Sequence, residues 1–283
     1  MPGDPAGLDV DDALDVARAA ARLAIGILAT TPLGSIQTKA NAADIVTDVD
    51  TATERAVRAL IAERLPGHVV VGEEYGGTAV CGPTWYCDPV DGTTNLAAGL
   101  PWTSFSLALT LHGEPVLGVV ADPWRDEVLE AVVGGSGVRC NGDLLPRADG
   151  GALAGGVVLT EWARHEPWPG MLGFLAGLAD RLCTSRIMGS STLTLAHVAA
   201  GRAVGAVVGT FQPEDHLAAA ILAAEAGYAV WDERGDQQPF PRTGGLMVAR
   251  PAVATELFGL WRDSVTAELS ARPPAAGTSS TSS

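Results

Sequence analysis

Basic side chains are scarce in this 283-residue chain: 18 Lys and Arg stand against 33 Asp and Glu, a formal charge of −15. A protein that binds by neutralising nucleic-acid phosphates or an anionic membrane surface needs the opposite sign, so neither partner is expected. Long uninterrupted apolar runs are lacking too. The two longest, 13–30 and 188–210, are broken by Asp15, Arg18 and Arg22 in one and by His197 and Arg202 in the other, and neither reads as a membrane span. Asp4, Asp9, Asp11 and Asp12 stand where a secretory leader carries basic residues, which points to the cytoplasm. Only 4 cysteines occur, Cys81, Cys87, Cys140 and Cys183, with no C-x-x-C pair. They read as reduced thiols buried as small apolar side chains.

What is present is a folding composition: 47% hydrophobic and 18% charged residues, with 34 Gly and 18 Pro, fits a loop-rich enzyme better than a disordered chain. At about 150 residues per domain, the length suggests one large domain or two closely packed halves. Residues 1–7 and 272–283, rich in Pro, Gly and Ser, have too little to bury and are expected to be mobile. Steps of three and four between apolar residues predict a helix over 10–29, and a second over 50–65 ends at Pro66-Gly67. Strands are expected at 69–71 and 85–87, then antiparallel strands at 105–111, 114–121 and 127–133. A Gly-rich stretch at 142–156 marks the internal boundary, dividing 8–150 from 151–271. Beyond it strands at 157–160, 203–208 and 228–231 alternate with helices at 168–179, 192–200, 217–226 and 251–270. The class is mixed α/β.

Three acidic clusters stand where an element gives way to a loop. Glu73-Glu74 follows the apolar strand and precedes Gly76-Gly77; a solvated acidic turn looks much the same. Asp88-Pro89-Val90-Asp91-Gly92-Thr93-Thr94-Asn95 is more specific. Pro89 fixes φ and Gly92 permits an unusual one, so a turn here can aim Asp88, the Val90 carbonyl and Asp91 at one point where hard cations would share them. Gly92-Thr93-Thr94 then suits a helix start facing a phosphate. An Asx-type turn with a capped helix explains Asp91 and Thr93 but leaves Asp88 without a task. In the third cluster, Asp44 to Asp50 followed by Glu54, a helix N-cap is an alternative that fits Asp48, and Asp215 is an N-cap candidate ahead of an apolar helix.

In order along the chain, Lys39, Asp44-x-Val46-Thr47-x-x-Asp50-x-x-x-Glu54, Gly72-Glu73-Glu74, Asp88-Pro89-x-Asp91-Gly92-Thr93-Thr94-Asn95, Gly189-Ser190-Ser191 and Asp215 resemble the inositol monophosphatase family. The resemblance covers about 35 to 230 and implies a layered αβαβα sandwich of the inositol monophosphatase and fructose-1,6-bisphosphatase type. It further implies a Mg²⁺-dependent phosphomonoesterase, usually a homodimer, that uses two or three ions and acts on a small phosphorylated metabolite. Carried over, Glu73, Asp88 and the Val90 carbonyl hold the first Mg²⁺, and Asp88, Asp91 and Asp215 the second. Thr93 with Asp50 and Glu73 orients and deprotonates the attacking water, backbone N–H groups of Gly92, Thr93 and Thr94 bind phosphate, and Lys39 and Glu74 support them from behind.

The departures concern the substrate. Where the family commonly has Trp-Asp, this chain has Glu214-Asp215, and the position at which inositol phosphatases hold a ring hydroxyl with Glu falls on Val208. Without that acceptor, inositol phosphate is a poor expectation. Asp91, Ser190, Ser191 and Val208 are then expected to meet a different sugar, cyclitol, nucleoside or amino-alcohol. Relatives of this fold hydrolyse histidinol phosphate, fructose 1,6-bisphosphate or adenosine 3′,5′-bisphosphate; Thr94-Asn95 fits the sugar and cyclitol pattern better than the nucleotide one. A catalytically inactive regulator that keeps the fold is the alternative from a different class.

Overall fold

A computed structural model describes residues 8–162 and 166–271; the ends at 1–7 and 272–283 fall outside that range. In chain order the elements are α1 (Val10–Thr30), β1 (Ile36–Thr38), β2 (Ile45–Thr47), α2 (Asp48–Arg64), β3 (Val69–Gly72), β4 (Thr84–Asp91), α3 (Thr93–Ala98), β5 (Ser104–Leu111), β6 (Glu114–Asp122), β7 (Glu127–Val132), β8 (Arg139–Cys140), β9 (Asp143–Leu144), β10 (Val157–Thr160), α4 (Met171–Asp180), β11 (Thr184–Arg186), α5 (Ser191–Ala199), β12 (Gly205–Val208), α6 (Pro213–Glu225), β13 (Ala229–Asp232), β14 (Leu246–Ala249) and α7 (Pro251–Ala271).

Strands β3 to β9 form a seven-stranded sheet in sequence order, and β11-β10-β12-β14-β13 form a second. The chain passes from one to the other between 144 and 157. Helix α1 begins because Asp9 accepts from the N–H groups of Asp11 and Asp12. Its stripe of Ala13, Ala17, Ala20, Ala21 and Ala24 packs with α2 on the outer face of the first sheet. Helices α5 and α6 fill the space between the sheets; Leu193, Leu195, Leu217, Ile221 and Leu222 are fully buried there with Val120 and Val248. The approach of α6 is close, for a Cβ on Gly118 of β6 would lie 2.6 Å from the Ala218 carbonyl oxygen. Helices α4 and α7 cover the far face of the second sheet through Phe174, Leu178, Leu257 and Trp261. Five layers result, helix, sheet, helix, sheet, helix, which is the expected mixed α/β sandwich.

Strand order also gathers one edge. Parallel pairing of β3 with β4 sets Gly72 opposite Cys87, so Glu73 follows one strand beside Asp88 in the next. In the second sheet β10 and β12 are parallel, and their ends, Thr160 and Val208, lead to the same side. Ligand sites of open α/β sheets lie in this position.

Several local expectations are corrected. Strand β4 does not end at Cys87 but continues through Asp91, because the β4–β5 register shifts between Asp88 and Asp91 and accommodates Pro89, which has no N–H for a regular ladder. Helix α2 is capped by Thr47, with Asp50 in the third helical position closing a capping box, so Asp48 is not its cap. Helix α6 starts at Pro213 and takes Asp215 into its first turn, with Gln212 as the cap residue. Helix α4 starts at Met171 behind a left-handed Gly170, since Trp168 is used as a buried anchor whose indole N–H meets Thr160 Oγ1 at 3.1 Å. Cys87 and Cys183 are buried, but Cys81 is exposed and Cys140 partly so.

Candidate active site

The residues that the sequence motifs single out gather around one cleft of about 660 Å³, whose walls include Lys39, Glu73, Asp91, Ser191, Val208, Glu214 and Asp215. Asp88 lies beneath it, 1% exposed. Its Oδ1 accepts from Val90 N–H at 2.9 Å, the local bond that shapes the β4 irregularity. Gly92 is left-handed, with φ of 95°, and a Cβ there would sit 2.8 Å from the Gly189 carbonyl oxygen; glycine is required both for the turn and for that approach. The short helix α3 follows without a side-chain cap. This leaves the Thr93 hydroxyl free for another task.

That hydroxyl lies 2.7 Å from Asp50 Oδ1 and 3.0 Å from the Val90 carbonyl oxygen. Asp50 Oδ2 is held in turn by the Thr47 backbone N–H at 3.0 Å and its hydroxyl at 2.5 Å. Burial raises the Asp50 pKa against the lowering effect of these bonds. The capping box of α2 is therefore also the mount of an acceptor aimed at Thr93.

Lys39, the single lysine of the chain, bridges Glu73 at 2.8 Å and Glu74 at 2.6 Å. Burial, with the neighbouring Glu73 adding to it, pushes Glu74 up to about 7 despite the lysine. Beneath this pair a wholly buried Glu54 accepts the backbone N–H of Glu74 at 2.7 Å and pairs with Arg58. A Cβ on Gly72 would strike the Glu54 carboxylate at 2.1 Å, so the strand end rests directly on that carboxylate.

Asp91 is oriented by the start of α5: its Oδ2 accepts from Ser190 Oγ at 2.5 Å and from Thr192 N–H at 2.7 Å. Burial and then the neighbouring Asp91, Glu73 and Glu214 hold Asp215 well above the usual carboxylate range. Asp88 is raised likewise by burial, Glu73, Asp215 and Asp91. These are oxygen donors in a mutually repelling set, with Asp88 buried and Asp91 and Asp215 partly exposed to the cleft, which suits hard divalent cations. The set is not closed around one point: among the described residues no three His, Cys, Asp or Glu side chains meet closely enough to hold an ion as they stand. Glu73 is engaged by Lys39 instead. Donor chemistry and burial fit the cation nonetheless, since one positive centre would relieve several repulsions together.

On the leaving-group side one expectation is corrected. Ser190 does not face the cleft; it is fully buried, and its hydroxyl is committed to Asp91 and to capping Leu193 N–H of α5. Ser191 and Val208 do line the cleft, while Thr94 is exposed outside its walls. Glu214 lines it as well and forms no ion pair among the described residues; burial raises it, and Glu73 and Glu54 add to the rise. One site residue, Glu161, escaped the sequence motifs, and another, Asn95, stood in a motif without a role. Glu161, directly after β10, lines the cleft and accepts from the N–H groups of Met188 and Gly189 at 3.0 and 2.8 Å. Asn95 Nδ2, from the motif's end, donates to the Trp102 and Met188 carbonyls at 2.8 and 2.7 Å. The only available signal for Glu161 was a carboxylate placed just after a β-branched strand.

A sequence profile of the inositol monophosphatase family matches residues 9–266. The chain is 34% identical over 222 residues to a Pasteurella multocida protein named Nus factor SuhB, covering 76% of this chain and 81% of that one. It is 32% identical over 226 residues to inositol monophosphatase 3 of Solanum lycopersicum, covering 76% and 82%. The solved structure of a Thermotoga maritima IMPase superposes with a TM-score of 0.81 at 29% identity, covering 90% of this chain and 99% of that one. The fold, the order of the motifs and these matches agree: the chain belongs to the inositol monophosphatase family.

Proposed function

We propose that this protein is a Mg²⁺-dependent phosphomonoesterase that hydrolyses a small phosphorylated alcohol. The observation that carries this reading is the Thr93 hydroxyl, held 2.7 Å from Asp50 at the edge of the carboxylate set Asp88, Asp91 and Asp215. Glu73, Asp88, the Val90 carbonyl, Asp91 and Asp215 would hold the ions. When bound, Mg²⁺ polarises the phosphoryl oxygens, lowers the pKa of the attacking water and stabilises the leaving oxygen.

The chain's own groups supply the rest. Thr93 donates to Asp50, so its lone pairs are left to accept from a water and fix that water's orientation. Asp50, immobilised by Thr47, receives the proton relayed through the Thr93 hydroxyl, and Glu73 serves as the neighbouring acceptor. Backbone N–H groups of Gly92, Thr93 and Thr94, at the start of a helix and so without intrahelical partners, receive phosphate oxygens. Asp44 and the Lys39 ion pairs border the entrance.

On the side of the substrate's alcohol stand Val208, which borders the cleft from the core at 3% exposure and offers no hydrogen bond, and Glu214, which offers a carboxylate without an ion-pair partner among the described residues. This favours a leaving alcohol bearing a protonated amine over inositol. We further propose that 8–150 and 151–271 act as two halves, that the protein is a cytoplasmic homodimer, and that it binds neither nucleic acid nor membrane. Among the described residues no helix is long and apolar enough to cross a bilayer. A regulatory role without catalysis is the second reading, favoured by the Nus factor name of a relative. Phosphate release from a panel of sugar, cyclitol, nucleoside, histidinol and amino-alcohol monophosphates with Mg²⁺ decides between the two: release from one or more supports hydrolysis, and none from any supports the regulator.

A further inference from the structure

Glu161 is 6% exposed and follows the last residue of β10. Its two oxygens are divided between two successive peptide N–H groups: Oε1 accepts from Met188 at 3.0 Å and Oε2 from Gly189 at 2.8 Å. The Thr194 hydroxyl adds a third bond to Oε1 at 2.7 Å. Asn95 grips the same turn from its other side, through the Met188 carbonyl at 2.7 Å and the Gly189 carbonyl at 3.3 Å. Gly189 is left-handed, with φ of 83°, a conformation that needs support because glycine also populates others. Immediately beyond it stand Ser190 and Thr192, which hold Asp91 Oδ2 at 2.5 and 2.7 Å. Met188 and Gly189 are thus fixed by a carboxylate on their N–H groups and an amide on their carbonyls, and the next residues along the chain orient Asp91.

We propose that Glu161 is a positioning residue for cation binding: by clamping the turn at Met188 and Gly189 it sets the direction of the Asp91 carboxylate. The inference rests on Asp91 being a cation ligand. It requires both carboxylate oxygens. A glutamine presents one oxygen to two diverging N–H groups, and its own NH₂ then faces a donor. An aspartate keeps the charge but withdraws both oxygens by one methylene, so it no longer spans the turn. A residue that acted only through its negative field would tolerate aspartate; one that acts through geometry does not.

The test is a calorimetric titration of purified protein with Mn²⁺ alone and with Mg²⁺ alone, without substrate, on the wild type, Glu161→Gln, Glu161→Asp, Thr194→Val and Asp91→Asn, with kcat and KM for β-glycerophosphate measured beside it. Both Glu161 variants are expected to bind the cation at least tenfold more weakly and to lose kcat at saturating cation with KM changed less than threefold. Thr194→Val removes one bond to the same carboxylate but leaves the turn clamped, and is expected to stay within twofold of wild type. If Glu161→Gln does not yield folded protein, Glu161→Asp carries the test. Wild-type affinity in Glu161→Asp overturns the proposal, as does an equal loss in Thr194→Val, which would mark a merely structural role. Cation loss in Asp91→Asn together with normal binding in the Glu161 variants refutes this inference and leaves the phosphatase reading standing. Normal cation binding in Asp91→Asn removes the basis of both.

Discussion

Thr93 Oγ1 and Asp50 Oδ1 are 2.7 Å apart, although 43 residues separate them in sequence, and neither is needed there for a helix cap of α3. Their contact joins the first turn of α2 to the first residue of α3, two positions beyond the end of β4. If that bond served stability alone, Thr93→Ala would cost about 1 kcal/mol and leave turnover intact. We predict the reverse weighting, with kcat reduced at least about 100-fold and the cation dissociation constant within threefold of wild type. Steady-state kinetics and calorimetry on the same preparation check it.

Cation binding should release protons. Burial and mutual repulsion raise Asp88, Asp91 and Asp215, so the cation-free set takes up protons at higher pH than free carboxylates do, and ligation displaces them. Titration with Mg²⁺ in two buffers of different ionisation enthalpy measures the number released. Asp91→Asn is expected to lower both the number released and the affinity. A binding heat independent of buffer would contradict the raised carboxylates.

The amino-alcohol preference rests on Glu214 and Val208. Comparing 2-aminoethyl phosphate with 2-hydroxyethyl phosphate, the wild type is expected to favour the amine in kcat/KM, and Glu214→Gln to reduce that ratio about tenfold, the scale of a hydrogen bond to a charged group. Val208→Glu is expected to improve myo-inositol 1-phosphate by about 1 kcal/mol or more in kcat/KM. A wild type that prefers inositol 1-phosphate over the amine would refute this substrate argument without touching the metal one.

Burial pushes His216 from 6.5 down to about 4, with its ring accepting the Gln212 N–H at 2.8 Å. A histidine depressed in the folded state contributes stability that is complete above the unfolded value and is lost as pH falls from 6.5 towards 4, because only the unfolded chain takes up the proton there. At about 1.4 kcal/mol per unit, the loss is roughly 3 kcal/mol at most. Denaturant melts of metal-free wild type and His216→Asn, from pH 7.5 to 4, isolate it from the carboxylates, since the difference between the two proteins should shrink over that window.

Much of this was legible in the sequence because it is local. Helix α1 shows its stripe in steps of three and four, and the run from Asp88 to Asn95 places its groups within one strand end and one turn. Short elements were not: β1 and β2 are three residues each, β1 is exposed throughout, and neither alternates. The length of β4 was hidden by Pro89, which reads as a turn until a neighbouring strand shows the shift. Ser190 and Ser191 look alike in sequence, yet one is buried as a cap and the other lines the cleft. Glu161 acquires its role from Met188, Gly189 and Thr194, 27 to 33 residues later, a contact that strand order makes and no motif records.

The most direct test of the central claim is phosphate release by purified wild type and Asp91→Asn from a panel of small phosphate monoesters, with Mg²⁺ and after its removal by EDTA. The account predicts release from at least one ester by the wild type, abolished by EDTA, restored by Mg²⁺, and lower by two orders of magnitude or more in Asp91→Asn. Release that survives EDTA, or an Asp91→Asn turnover equal to wild type, would contradict it.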